Sequence, residues 1–91
     1  MYQWHNFPED INNAPTSEGV YLLSETNSEY GIVYVGRSED LRDRLSQHPD
    51  PDNPCLKRKN INYFAYEVTS NSESRESELI RKYDPECNRT N

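Results

Sequence analysis

Long hydrophobic runs are missing from this chain of 91 residues. The apolar stretches that exist, such as Val20 to Leu23, are far too short to cross a lipid bilayer. The N-terminus also lacks the basic segment followed by an apolar segment that marks a signal peptide. These absences argue against a membrane protein and predict a soluble protein of the cytoplasm.

Hydrophobic residues are scarce throughout the chain. They make up 32% of it, and the mean hydropathy is -1.15. A chain of this length forms one domain with a small core, and such a domain has a net stability of only roughly 5–15 kcal/mol. We therefore expect the seven tyrosines to supply much of the buried area, as core residues before anything else.

Cysteine is nearly absent, and its two copies, Cys55 and Cys87, stand apart in the sequence. Neither belongs to a CxxC pair or to a cluster with histidine, which argues against a zinc site. The sequence leaves one disulfide between them open. We interpret both as free thiols in a reducing compartment.

Lysine and arginine are absent from residues 1–36, which carry five acidic residues. All ten basic residues lie from Arg37 onward together with eleven acidic ones, so this part has a net charge of -1. The total charge of -6 works against binding to nucleic acid, because Lys and Arg supply most contacts to the phosphate backbone. The uneven distribution nevertheless allows one positive face. No helix-turn-helix, zinc finger or long basic arm is encoded, so we expect no sequence-specific readout by this chain.

The chain divides into a lead-in and a domain. Residues 1–18 are rich in Asn, Pro and acidic residues and are predicted to be an irregular N-terminal lead-in, with the domain spanning residues 19–91. Two β-type runs open the domain, Gly19 to Leu23 and Ile32 to Val35, and the polar turn between them predicts a hairpin. Alternating residues from Ile61 to Val68 predict a third strand.

The first predicted helix follows the hairpin. Ser38 is expected to cap it, and it ends near Gln47. Glu39 and Asp40 then fall in its first turn, where negative charge meets the positive end of the helix dipole. Three prolines follow and predict an extended loop: Pro49, Pro51 and Pro54.

The second predicted helix begins at Asn71 or Ser72 and runs to about Tyr83, before Pro85. The resulting element order is ββαβα. It predicts an α/β fold of the α+β type, in which helices flank a small three-stranded antiparallel sheet.

Both predicted helices carry polar residues where apolar ones are expected. The stripe on the first helix reads Leu41, Arg44, Leu45 and His48. Because burying an unpaired guanidinium costs several kcal/mol, on the order of 3–5, a structural stripe would normally hold Leu or Ala in place of Arg44. The alternative is that Arg44 extends to the rim while His48 caps the helix C-terminus.

The second helix repeats the anomaly, because Glu76 opens the apolar stripe that Leu79, Ile80 and Tyr83 continue. If both helices bring these groups to the face covering the sheet, an arginine, a carboxylate and strand tyrosines share one site. That set suits phosphoryl chemistry: the guanidinium neutralises phosphate charge, the carboxylate holds a hard cation and a phenol orders or deprotonates water. The residues alone do not choose between a nuclease and a phosphatase.

Two tripeptides identify a family. Gly19-Val20-Tyr21 and Tyr34-Val35-Gly36 resemble the paired motifs that name the GIY-YIG nucleases, with valine in place of each isoleucine. Four further positions follow in the order and spacing of that family: Arg44, His48, Glu76 and Asn88. The resemblance covers the chain from Gly19 to Asn88 and implies a three-stranded antiparallel sheet flanked by helices.

The resemblance also implies a metal-dependent endonuclease that cuts phosphodiester bonds. Glu76 would be the ligand of one divalent cation, Mg²⁺ or Mn²⁺. Tyr21 would be the general base, assisted by Tyr34 and His48, and Arg44 would bind the scissile phosphate. A free tyrosine has a pKa of about 10, so this base needs help to lose its proton. Each tyrosine can also be explained as sheet packing alone.

Further contacts are expected around this site. Asn88 would brace it, although it can also be explained as a turn residue. Arg37, which follows the second tripeptide, and the basic run from Lys57 through Arg58 to Lys59 are candidates for nucleic-acid binding. DNA is favoured over RNA as the substrate, and the acidic composition calls for a separate DNA-binding partner, high salt or a narrow range of substrates. The alternative is a catalytically silent module that binds nucleic acid or protein on the same fold, and a weaker one is a nucleic-acid mimic.

Overall fold

The computed structural model describes residues 2–48 and 53–89. Its strands are β1 (His5–Asn6), β2 (Gly19–Ser24), β3 (Ile32–Ser38) and β4 (Tyr63–Val68). Its α-helices are α1 (Leu41–Ser46), α2 (Pro54–Lys57) and α3 (Ser72–Tyr83). Short 3-10 turns span Ile11–Asn13, Glu29–Gly31 and Glu86–Asn88.

The strands form one antiparallel sheet in the order β1-β4-β2-β3. The predicted hairpin is confirmed, because β2 pairs with β3 and Tyr21 stands opposite Gly36. The prediction of three strands is wrong by one. The lead-in contributes β1, in which His5 pairs with Phe64. A two-residue strand is too short to leave an alternating pattern in the sequence.

The two faces of the sheet carry different helices. One face packs with the lead-in, α1 and α2, through buried residues that include Phe7, Tyr21, Leu23, Leu41, Leu45, Leu56 and Phe64. The opposite face packs with α3, through Val20, Leu22, Val35, Ala65 and Leu79. Alternate residues of a strand point to opposite faces, which is why Tyr21 and Leu22 belong to different clusters. The condition stated for a shared site, that both helices cover the same face of the sheet, is therefore not met.

The first helix begins later than predicted. Its N-cap is Asp40, whose Oδ1 accepts a hydrogen bond from the backbone N–H of Asp43 at 3.0 Å. Ser38 instead ends β3, and its Oγ accepts from the N–H of Asp40 at 3.0 Å. Ser38 and Asp40 are both good capping residues, and Asp40 takes this place because β3 extends through Ser38.

The prediction of an extended loop is wrong at Pro54, which opens α2. Asn53 is the N-cap, with its Oδ1 accepting from the N–H of Leu56 at 3.2 Å. Proline is favoured in the first turn of a helix, where its missing N–H has no partner to lose. Pro49 and Pro51 lie outside the described residues.

The predicted second helix is confirmed as α3, with Asn71 at the N-cap position. Its last residue is Tyr83, and the C-cap residue Asp84 has a left-handed φ of 45° and precedes Pro85. α3 has 12 residues, whereas spanning a bilayer takes about 20. No helix of residues 2–48 and 53–89 is long and apolar enough to cross a membrane.

Cys55 and Cys87 form a disulfide, so the interpretation as free thiols is wrong. The bond joins α2 to the 3-10 turn Glu86–Asn88, across a sequence separation of 32 residues. The sequence gives no sign that these two segments meet. Free thiols therefore no longer support the prediction of a reducing compartment.

Candidate active site

Tyr21 and Gly36, one residue from each tripeptide, are packed against each other. A Cβ added at Gly36 would lie 2.4 Å from both Cζ and Oη of Tyr21. Real Cβ atoms do not approach other atoms so closely. Glycine is thus needed at position 36 because the tyrosine ring crosses over that point of β3.

Replacing Gly36 by alanine is expected to displace the Tyr21 ring. Overpacking of this kind costs roughly 1–3 kcal/mol, and a misplaced reacting group lowers a rate by roughly 10- to 100-fold. Melting temperature and cleavage rate are the measurements. Gly31→Ala is a matched control, because its Cβ would lie 2.3 Å from Thr26 Oγ1 in the turn at the other end of the hairpin. Equal loss of activity in both variants would contradict a role for Gly36 in placing the ring.

Tyr21 is joined to two residues that follow β3 in the sequence. Its hydroxyl lies 2.8 Å from Nε2 of His48, and Nε of Arg44 donates to the same oxygen at 3.3 Å. Because a guanidinium only donates hydrogen bonds, the phenolic oxygen accepts from Arg44. Nε2 of His48 accepts the phenolic proton in one histidine tautomer and donates to the phenolic oxygen in the other. The alternative in which His48 caps α1 is not observed: the C-cap residue is Gln47.

Tyr34 completes a cluster of three rings. Its ring centroid lies 6.1 Å from that of Tyr21 and 5.8 Å from that of His48, and the Tyr21 and His48 centroids are 5.2 Å apart. Tyr21 is 1% exposed and His48 9% exposed. Burial raises the pKa of Tyr21 well above its ordinary value, the neighbouring Tyr34 adds to the rise, and the hydrogen bond and charge of Arg44 oppose it. In the free protein this phenol therefore keeps its proton.

Glu76 lies on α3, on the other side of the sheet from these rings. It is half-buried, and burial raises the pKa of its carboxyl; the charge of Arg37 opposes the rise and that of Glu73 adds to it. Arg37 directly follows Gly36 on β3 and stands opposite Val20, whose side chain belongs to the α3 face. The rings therefore lie on one face of this segment of β3, and Arg37 and Glu76 lie on the other.

Asn88 binds the backbone of that segment. Its Nδ2 donates to the carbonyl of Val35 at 2.8 Å, and its Oδ1 accepts from the N–H of Val35 at 2.8 Å. β3 is the last strand of the sheet order, so its outer edge has no strand partner among the described residues. The side-chain amide supplies the two hydrogen bonds that a neighbouring strand would otherwise make.

The basic run lies at the end of α2 and beyond it. Lys59 Nζ forms an ion pair with Glu86 Oε1 at 2.7 Å. Lys57 and Arg58 are exposed. Lys57 and Arg58 therefore extend into solvent. Lys59 instead holds the loop after α2 against the 3-10 turn Glu86–Asn88.

Ser72 and Glu18 lie near the site but belong to no sequence motif. Arg37 Nε donates to Ser72 Oγ at 3.0 Å, and Ser72 Oγ donates to Glu18 Oε2 at 2.6 Å. In the sequence, Ser72 shows only the signal of a helix start. Glu18 shows only the position before the first tripeptide. Neither signal points to a contact with Arg37.

The residues fit a single divalent cation. Mg²⁺ is usually held by one or two carboxylates, and waters and phosphate oxygens complete its shell. Glu76 offers such a carboxylate, half-buried and with its pKa raised by burial, so it gains by having a cation beside it. Within the described part of the chain no group of three or more His, Cys, Asp or Glu residues forms a ready-made metal cage.

Comparison with known protein families matches residues 17–91 to the GIY-YIG catalytic domain. The match spans well over half of the chain and includes both tripeptides. This chain belongs to the GIY-YIG family. The family predicted from the two tripeptides and their spacing is thereby confirmed.

Relatives of this chain include UvrABC system protein C from several bacteria. That of Protochlamydia amoebophila is 38% identical over 90 residues, which cover 89% of this chain and 14% of the relative. That of Dictyoglomus thermophilum is 31% identical over 85 residues, which cover 88% of this chain and 14% of the relative. The chain thus spans about 14% of the length of these curated relatives.

Solved structures share the fold. The GIY-YIG N-terminal endonuclease domain of UvrC from Thermotoga maritima, bound to its catalytic divalent cation magnesium, has a TM-score of 0.72 at 26% identity, over 89% of this chain and 93% of that one. A point mutant of that domain, bound to its catalytic divalent cation, has a TM-score of 0.72 at 25% identity, over 90% of this chain and 93% of that one. The predicted α+β fold is confirmed, and the predicted divalent cation agrees with the one in these domains.

Proposed function

We propose that this chain is an endonuclease that hydrolyses phosphodiester bonds of nucleic acid with the help of one divalent cation. The observation that carries the proposal is the hydrogen-bonded group of Tyr21, His48 and Arg44, placed over the glycine of the second tripeptide. A buried phenol bonded to both an imidazole and a guanidinium is costly as packing alone, because a Phe would fill the space without polar groups to satisfy. The same group can move a proton beside a phosphate.

Tyr21 is the proposed general base, working through His48. Burial raises the pKa of Tyr21, so the phenol starts out protonated. As its oxygen takes a proton from the attacking water, its own proton passes to Nε2 of His48, 2.8 Å away. The hydrogen bond from Arg44 limits the negative charge on the phenolic oxygen during the transfer. Tyr34, in contact with both rings, orders the water.

The scissile phosphate is proposed to bind Arg44, with Arg37 as a further phosphate contact. Arg44 and Arg37 flank the β3 segment from its two faces, and a guanidinium neutralises phosphate oxygens through paired hydrogen bonds. Glu76 would hold Mg²⁺ or Mn²⁺, which when bound polarises the phosphate and stabilises charge that develops on its oxygens. Asn88 keeps this segment of β3 in place through its two hydrogen bonds to Val35.

Binding of the nucleic acid is proposed to extend to the basic run. Lys57 and Arg58 are exposed at the end of α2, and Lys59 is beside them. With a net charge of -6, non-specific attraction to a phosphate backbone is weak. We propose DNA rather than RNA as the substrate, on the basis of the family resemblance, and a separate DNA-binding partner that supplies the missing affinity.

The proposal is tested by incubating the chain with branched, single-stranded and duplex DNA in Mg²⁺, Mn²⁺ or EDTA. We expect cleavage to 5′-phosphate and 3′-hydroxyl ends with either cation and binding without cleavage in EDTA. Separation on a denaturing gel measures cleavage, and filter binding measures affinity. Binding without cleavage in any cation would instead support a silent binding module. No binding at all would support a protein-interaction domain.

A further inference from the structure

A buried hydroxyl joins two charged residues that lie beside the proposed site. Ser72 is the first residue of α3 and is 1% exposed. On one side it meets Arg37, which is exposed on β3, and on the other it meets Glu18, which is half-buried just before β2. Three separate elements are thus connected through one serine oxygen.

The direction of these hydrogen bonds is fixed by the chemistry of the partners. A guanidinium Nε–H can only donate, so Ser72 Oγ accepts from Arg37 at 3.0 Å. The single proton of the serine hydroxyl is then left for Glu18, whose ionised Oε2 accepts it at 2.6 Å. With an ionised group at each end, both bonds are stronger than those between neutral groups. In a chain of this kind each bond also polarises the next.

Ser72 is not explained as a helix cap. Asn71 occupies the N-cap position of α3, and the hydroxyl of Ser72 is bonded to side chains of other elements. Alanine would start the helix equally well and leave no buried polar group to satisfy. The hydroxyl therefore functions in the hydrogen bonds with Arg37 and Glu18, and not in capping the helix.

We propose that Glu18 and Ser72 are positioning residues that orient the guanidinium of Arg37 toward the phosphate of bound nucleic acid. This inference rests on the proposed function and adds two residues to its machinery. Ser72 occupies only the Nε–H of Arg37. The four N–H groups on its two Nη atoms are left to bind a phosphate. A side chain already held in one conformation loses less freedom when it binds a ligand, which is worth about threefold to tenfold in affinity.

A double-mutant cycle on DNA affinity tests the inference. Dissociation constants are measured in EDTA, so that neither metal nor cleavage contributes, for wild type, Ser72→Ala, Arg37→Ala and the double variant. We expect Ser72→Ala to weaken binding about threefold to tenfold, and to have no further effect once Arg37 is alanine. In Mg²⁺, we expect Ser72→Ala to raise KM and to leave kcat within about twofold, because the proton path does not include Arg37.

Two further variants separate positioning from stability. Glu18→Gln keeps the size of a half-buried side chain while removing its charge, and we expect a smaller loss of affinity in the same direction. Ser74→Ala, at an exposed serine of the same helix, is the matched control and should bind as wild type does. Equal losses from Ser72→Ala with and without Arg37, or a lower melting temperature with unchanged affinity, would overturn the inference and leave the endonuclease proposal intact. If wild type neither binds nor cuts DNA, both are overturned.

Discussion

Glu76→Gln is expected to abolish cleavage while leaving DNA binding intact. The substitution keeps the size of the side chain and removes the charge that would hold a divalent cation. A bound cation stabilises the transition state by several kcal/mol, and each 1.36 kcal/mol is a factor of ten in rate. We therefore expect the rate in Mg²⁺ to fall by roughly three orders of magnitude. Affinity for DNA in EDTA should stay the same or rise slightly, because a carboxylate no longer repels the phosphates.

The matched control for this prediction lies on the same helix. Glu73 is exposed one turn before Glu76, and its charge adds to the rise in the pKa of Glu76. Glu73→Gln removes the same charge without removing the proposed ligand. Its cleavage rate should stay within a few-fold of wild type. If the Glu76→Gln rate were within tenfold of the wild-type rate at saturating Mg²⁺, Glu76 would not be the metal ligand.

Patterns that extend over several residues predicted the fold well. The hairpin, the strand that ends at Val68 and the helix from Ser72 to Tyr83 each have enough residues for alternation or a helical stripe to be visible. β1 has two residues and leaves no such pattern. At Pro54, proline was interpreted as a helix breaker, although Asn53 before it is the signal for a helix start. The faces on which α1 and α3 pack depend on how the chain crosses the sheet, which periodicity does not record.

The candidate site was predictable where a motif fixes a close contact. Tyr21 needs a glycine under its ring, and that need ties the two tripeptides to each other. His48 could be placed near Tyr21 only through the family pattern, because the residues between them form a hairpin and a helix. The bond between Arg37 and Ser72 joins residues 35 positions apart, and no local signal marks it. The roles of these residues in catalysis stay predictions.

Loss of the Cys55–Cys87 disulfide is expected to destabilise the domain strongly. The bond closes a loop with a sequence separation of 32 residues, which includes the whole of β4 and α3. In the chain-entropy description, closing a loop of this length stabilises the folded state by roughly 3–4 kcal/mol. For a domain of this size we expect the melting temperature to fall on the order of 10–30 °C. The measurement is thermal unfolding of wild type with and without dithiothreitol, and of the double variant Cys55→Ser/Cys87→Ser.

The disulfide also bears on the site, because Cys87 precedes Asn88 in the same 3-10 turn. Without it, this turn is still held to the loop after α2 by the ion pair between Lys59 and Glu86, which lies near the surface and contributes little. Asn88 would then hold Val35 less firmly, and the cleavage rate should fall at temperatures where the domain is still folded. Dithiothreitol should not change the melting temperature of the double variant, which serves as the control. Two free thiols titrated in the folded wild-type protein, with unchanged stability on reduction, would contradict the disulfide and this account of its stabilising role.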